Sequence, residues 1–112
     1  DIDRIANEYF DISHKRIRVD TVQKVVEDYY RVNHEDLIGP RRTANILLAR
    51  HVAVYLALEL CEMTTTMVGA AFGGRDHSTV LNSIKVIEKK MKGDRGLYDD
   101  LQQLREKIRI KS

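Results

Sequence analysis

Arg75-Asp76-His77-Ser78-Thr79 follow the glycine pair Gly73-Gly74, and these five polar side chains carry the richest chemistry in the sequence. Asp, His and Ser together are the residue types of a hydrolytic triad. Neighbours on a helix point about 100° apart, however, whereas a triad needs its members to converge, so catalysis is excluded there. The same residues suit the edges of DNA bases. Asp accepts from cytosine N4, Ser and Thr donate or accept, and His offers a donor, an acceptor and a flat apolar edge. The backbone amides of a first helical turn favour a phosphate, and Arg75 adds positive charge. A structural role stands beside this one: Asp76 can be a helix N-cap, and Ser78 and Thr79 ordinary first-turn residues.

Other chemistries are poorly served. The glycines at 69, 73 and 74 lack the following Lys-Ser/Thr of a phosphate-binding loop, so no nucleotide site is expected. His14, His34, His51 and His77 show no ligand spacing, and Cys61 has no CxxC partner, so no metal is expected either. Cys61 reads as a small buried hydrophobe and cannot form an internal disulfide, which fits a reducing cytosol.

Hydrophobic spacing supplies the elements that must hold these residues. Ile2, Ile5, Ala6, Tyr9 and Phe10 mark a short first helix with an acidic outer face, and His14-Lys15-Arg16-Ile17-Arg18 reads as a basic linker. Asp20 and Gln23 resemble an N-cap and its returning partner before a helix over about 21–32. Asn33 can cap a short turn through Leu37-Ile38, which Gly39-Pro40 ends. Residues 44–61 form a central, mostly buried helix whose narrow polar strip is His51, Tyr55, Glu59 and Glu62. Thr64 caps two turns bearing Met67/Val68 and Ala71/Phe72. A helix over about 76–91 buries Val80, Ile84, Ile87 and Met91, and a closing helix carries Leu97, Leu101, Leu104 and Ile108. The expected fold class is all-α, a helical bundle. Two apolar-faced helices around the glycine pair have the layout of a helix-turn-helix, although bundles of other kinds contain such turns.

With 112 residues, 43% hydrophobic and 32% charged, the chain has material for one core and too much for disorder. One proline and six glycines argue against a loop-rich sandwich. The net charge of +2 is small, but residues 1–38 carry six bases and nine acids while residues 86–112 carry eight bases and five acids. A local basic face is enough for phosphate contacts. No apolar run has the length of a membrane span and no secretory signal is visible. The opening on Asp1 suggests a piece of something longer.

Gly73-Gly74-Arg75-Asp76-His77-Ser78-Thr79-Val80, with Val68-Gly69 and Ala71-Phe72 before it and Ser83 and Ile87 after it, closely resembles the signature of the bacterial DnaA family of replication initiators. The likeness covers roughly residues 19–92, through Val22-Gln23, Tyr29-Tyr30, Leu37-Ile38, Arg41-Arg42, Arg50 and Ala53-Val54-Tyr55-Leu56-Ala57. It implies a helix-turn-helix domain at residues 19–112, similar in arrangement to the Trp repressor. Residues 1–18 would be a connector helix and linker from an upstream AAA+ module that binds ATP, and the domain itself would be no enzyme and hold no cofactor. It further implies sequence-specific binding to double-stranded DNA, at DnaA boxes of a replication origin, in the bacterial cytoplasm and nucleoid. Residues matching Asp76, His77, Ser78 and Thr79 would approach bases and phosphates in the major groove, and Arg42 would enter the neighbouring minor groove. Arg50, Thr65 and Thr66 match backbone-contacting positions.

Arg42 follows Gly39-Pro40 on a segment that is not regular helix, so it can reach a narrow A·T-rich groove. Arg41 reads as a solvated charge. Arg50 on an apolar helix calls for a partner, either a phosphate or an internal carboxylate. Ala49, His51, Leu58, Thr66 and Val86 depart from the usual pattern, and Leu58 removes one expected contact. A membrane-surface helix should be basic, whereas the first helix shows Asp1, Asp3, Glu8 and Asp11 against Arg4, so docking on protein is expected there. No heptad seam is available, and a monomer is expected. The competing function is a helical protein-interaction module.

Overall fold

The computed structural model describes residues 17–111, and among them every regular element is a helix. These are α1 (Val19–Tyr30), α2 (His34–Ile38), α3 (Ala44–Leu60), α4 (Thr65–Ala71), α5 (His77–Gly93) and α6 (Arg95–Lys111). The helix expected over residues 2–10 and the basic stretch through Arg16 lie outside the described residues.

Local chemistry sets most boundaries. Asn33 caps α2 by accepting from the Asp36 amide at 2.8 Å, and Thr64 caps α4 by accepting from the Met67 amide at 3.2 Å. Gly73 and Gly74 take φ of +85° and +77°, a region that glycine enters without a Cβ penalty, and this ends the α4 segment. Asp94 serves two helices at once: it terminates α5 and its Oδ1 accepts from the Leu97 amide at 3.0 Å to start α6.

The start of α1 differs from expectation. Arg18 occupies the N-cap position without a side-chain cap bond, and Asp20 sits inside the first turn, 3.2 Å from Arg18. Gln23 does not return to the cap because it lies on the buried face, only 5% exposed. A buried amide must find a partner, and Gln23 Nε2 donates at 2.9 Å to the carbonyl of Ala71, a helix-end acceptor that α4 cannot satisfy itself.

The core sits around α3, whose Ala49, Val52, Ala53, Leu56 and Ala57 are fully buried. Helix α3 packs on α1 and α5, and α6 lies against both of those helices with Leu97, Leu101, Leu104 and Ile108 turned inward as the spacing indicates. The polar strip of α3 is a seam to other helices: His51 Nδ1 meets Ser83 Oγ at 2.7 Å, and Glu59 pairs with Arg105 at 3.0 Å. On α5, Ser83 is buried with Val80 and Ile87, while Ile84 and Met91 are half-buried. Val68 and Phe72 anchor α4, whereas Met67 is 51% exposed, so the expected apolar pairs are only half used. Cys61 is buried and free.

Candidate nucleic-acid interface

The glycine turn brings α4 and α5 together, with the Arg75 amide donating to the Gly69 carbonyl at 2.9 Å. At the start of α5, Asp76 Oδ1 accepts from both the amide and the hydroxyl of Thr79, each at 2.9 Å. These two bonds hold the Asp76 carboxyl below its usual range. Asp76 is therefore the cap of α5, and Thr79 spends its hydroxyl hydrogen on that cap. His77 Nδ1 meets Thr65 Oγ1 at 2.7 Å, which ties the first turn of α4 to the first turn of α5. Nε2 of His77 takes no partner among the described residues. Ser78, His77 and Thr79 are exposed, as is Thr66.

A cleft of about 790 Å³ runs between the 40–44 segment, α3 and one side of α5. Arg42, Arg50, Arg75, Ser78 and Thr79 line it, so five of the nine residues singled out from the sequence converge there. Thr65, Thr66, Asp76 and His77 are not among its lining residues. Asn82, His51 and Lys90 also line the cleft and were missed. The signal for Asn82 was present, since it stands one helical turn after Ser78 on the exposed face of α5. Lys85 and Lys89 are exposed on α5 and make no ion pair among the described residues.

Arg50 has partners inside the protein, and none of them is the carboxylate that was one of the two expectations. Its side chain is buried, 4% exposed, and donates to backbone: Nε to the Leu37 carbonyl at 2.8 Å, and Nη2 to those of Asp36, Gly39 and Arg41 at 2.8, 2.9 and 2.8 Å. Carbonyls of a loop that cannot pair with itself do the work of a carboxylate. Arg75 is likewise turned inward, with Nη1 donating to the carbonyls of Ile38, at 3.0 Å, and Phe72, and Nη2 to that of Gly39 at 2.6 Å. Gly73 makes room for this approach, because a Cβ there would lie 2.1 Å from the Ile38 carbonyl oxygen. Burial pushes both guanidinium groups below their ordinary value, and Arg42 acts in the same direction on each. Arg41 approaches Asp36 at 3.8 Å, whereas Arg42 is exposed and has no ion pair among the described residues.

His51 lies on the cleft floor. Burial lowers its pKa below 6.5, and the positive charges of Arg50, Lys90, Arg42 and Arg75 push the same way.

Comparison with known proteins places this geometry. Residues 19–87 match a family model described as the bacterial dnaA protein helix-turn-helix. The chain is similar to the chromosomal replication initiator protein DnaA of Francisella tularensis subsp. novicida, with 40% identity over 87% of this chain and 20% of that protein. It is also similar to the protein of that name from Limosilactobacillus reuteri, with 37% identity over 88% of this chain and 22% of that protein. The chain thus spans about a fifth of the length of the curated relatives it matches.

Proposed function

The chain belongs to the bacterial DnaA helix-turn-helix family, and on that premise we propose that it binds double-stranded DNA. Helix α5 enters the major groove by its first turn, Arg42 enters the adjacent minor groove, and the sugar-phosphate backbone between the two grooves runs along the cleft. The observation that carries this reading is the cleft itself, which sets the exposed Arg42 on one wall and the Ser78 and Thr79 hydroxyls on the other. Phosphate oxygens fit such a lining, since the Ser78 hydroxyl and the Arg42 guanidinium both donate to them, while the Thr79 hydroxyl, whose hydrogen goes to Asp76, offers only its lone pairs. Met67 and Leu81 add exposed apolar surface on the two motif helices, of the kind that contacts a thymine methyl.

The finer reading is sequence-specific recognition of DnaA boxes at a replication origin by a monomer, because a single recognition helix suits an asymmetric site. Thr65 and Thr66 are assigned to phosphates, and Asp76, His77, Ser78 and Thr79 to bases and phosphates. ATP binding and assembly at an origin belong to an upstream AAA+ module in this proposal, and the setting is the bacterial cytoplasm and nucleoid. Among the described residues no helix is long and apolar enough to cross a membrane.

Titration of a duplex carrying a DnaA box against a scrambled duplex tests the proposal. His77→Ala should weaken the box and leave the scrambled duplex nearly unchanged, with the same slope of log affinity against log salt. Failure of the native chain to bind either duplex at low salt would refute DNA binding and favour a protein-interaction module. Two protein copies on one box in sedimentation would refute the monomer.

A further inference from the structure

Between Asp36 and Arg41, all carbonyls except that of Pro40 are held by the guanidinium groups of Arg50 and Arg75. The two groups meet at Gly39, whose carbonyl accepts from both. They come from different places, Arg50 from the middle of α3 and Arg75 from the turn that precedes α5. The loop therefore cannot move relative to the recognition helix without breaking bonds to one arginine or the other. Arg42 is the next residue after the last clamped carbonyl, and Arg41 before it approaches Asp36.

We infer that Arg50 and Arg75 are positioning residues that clamp the 36–41 segment, the end of α2 and the turn after it, and so fix Arg42 at a set distance from the first turn of α5. This rests on the DNA-binding reading above. Simultaneous entry into two grooves requires a fixed spacing, and the end of a five-residue helix with the irregular segment after it has none unless it is held from outside. Each guanidinium uses two nitrogens, Nε and Nη2 of Arg50 and Nη1 and Nη2 of Arg75, whereas the single nitrogen of a lysine could not hold both sets of carbonyls at once. The charges of Arg50 and Arg75 also repel that of Arg42, which keeps the Arg42 side chain away from the clamp and toward solvent. Specificity on the minor-groove side thereby depends on two side chains turned away from it.

The test uses this chain with a duplex carrying a DnaA box and a second duplex in which the minor-groove A·T pairs are replaced by G·C. Arg42→Ala should weaken the first on the order of tenfold to a hundredfold and the second much less. Arg50→Lys and Arg75→Lys keep the charge, so they should reproduce that selective loss, and each should add less than about twofold in the Arg42→Ala background. A variant that only loosened the fold would lose both duplexes alike. A lysine variant that binds as the native chain does, or whose loss multiplies with that of Arg42→Ala, overturns the clamp. If Arg50→Lys fails to fold, the half-buried Arg75→Lys decides. Absence of any binding by the native chain would instead strike the DNA reading. In that case NMR relaxation of the free chain still judges the clamp: residues 36–42 should be as ordered as α3 in the native protein and mobile in Arg75→Lys, and equal order in both overturns it.

Discussion

Asp76→Ala removes the single oxygen that accepts from the Thr79 amide and hydroxyl at 2.9 Å. Loss of an N-cap acceptor unpairs the first turn of the helix and lowers stability. For a domain of this size that lowers the melting temperature by roughly 4–8 °C. Asparagine keeps an acceptor in the same place, so Asp76→Asn should melt close to the native protein. The acid side separates the two carbonyl types further. The carboxyl of Asp76 titrates below 3.8 in the folded state, so its ionised form stabilises the fold above that value, and the contribution is lost as pH falls through the lower folded value. Asp76→Asn should lack that acid-side loss. Circular dichroism melts at neutral and acid pH measure both effects, and duplex titration then asks whether the folded Asp76→Asn variant changes box discrimination, as it should if the carboxylate also meets a cytosine. Asp76→Ala melting as late as the native protein would refute the cap, as would an asparagine variant that melts as early as alanine.

His51 is neutral by preference in the folded state, so the unfolded chain binds the extra proton first and stability should decline as pH falls below about 6.5. Chemical denaturation across that range should show a shallower decline for His51→Gln, and an identical slope would remove His51 from the account. Gly73→Ala and Gly74→Ala both place a side chain at positive φ, at about 1–2 kcal/mol each, but only the first also meets the Ile38 carbonyl at 2.1 Å. Gly73→Ala should thus be the more damaging in urea denaturation, and equal midpoints would contradict the close approach. Phe72→Ala empties a fully buried site and should cost about 3–5 kcal/mol, a large part of the stability of such a domain. A midpoint near the native one would mean that α4 is not anchored there.

The all-helical architecture and the caps at Asn33, Thr64 and Asp76 were legible because capping and hydrophobic spacing are local signals. The inward face of α6 was readable for the same reason. The duty of Arg50 was not, since its partners are carbonyls of a loop up to 14 residues distant, and backbone acceptors leave no trace in side-chain identity. Gln23 misled for a related cause: its spacing from Asp20 suits a cap, but burial of that face against α4 overrode it. The string Gly73-Gly74-Arg75-Asp76 reads from sequence as a DNA-facing unit, while the structure uses Gly73 and Arg75 to seat the 36–41 loop and Asp76 to start α5. Tertiary pairing settled what composition left open.

The family match ends at residue 87, yet the core does not. Helix α6 closes on α1 through Leu97, Leu101, Leu104 and Ile108, and Tyr29 donates its hydroxyl to Asp100 at 2.5 Å across 71 residues of sequence. The helix-turn-helix therefore lies in sequence between two elements that pack on each other. Helical proteins reach the folded state quickly when their contacts are local. Here the closing contact is not local, and until α6 arrives α1 packs on α2 and α3, with the Gln23 bond to α4. A ribosome has made the whole recognition motif before it supplies α6, so α1 meets the last of its described packing partners only after the motif itself is complete.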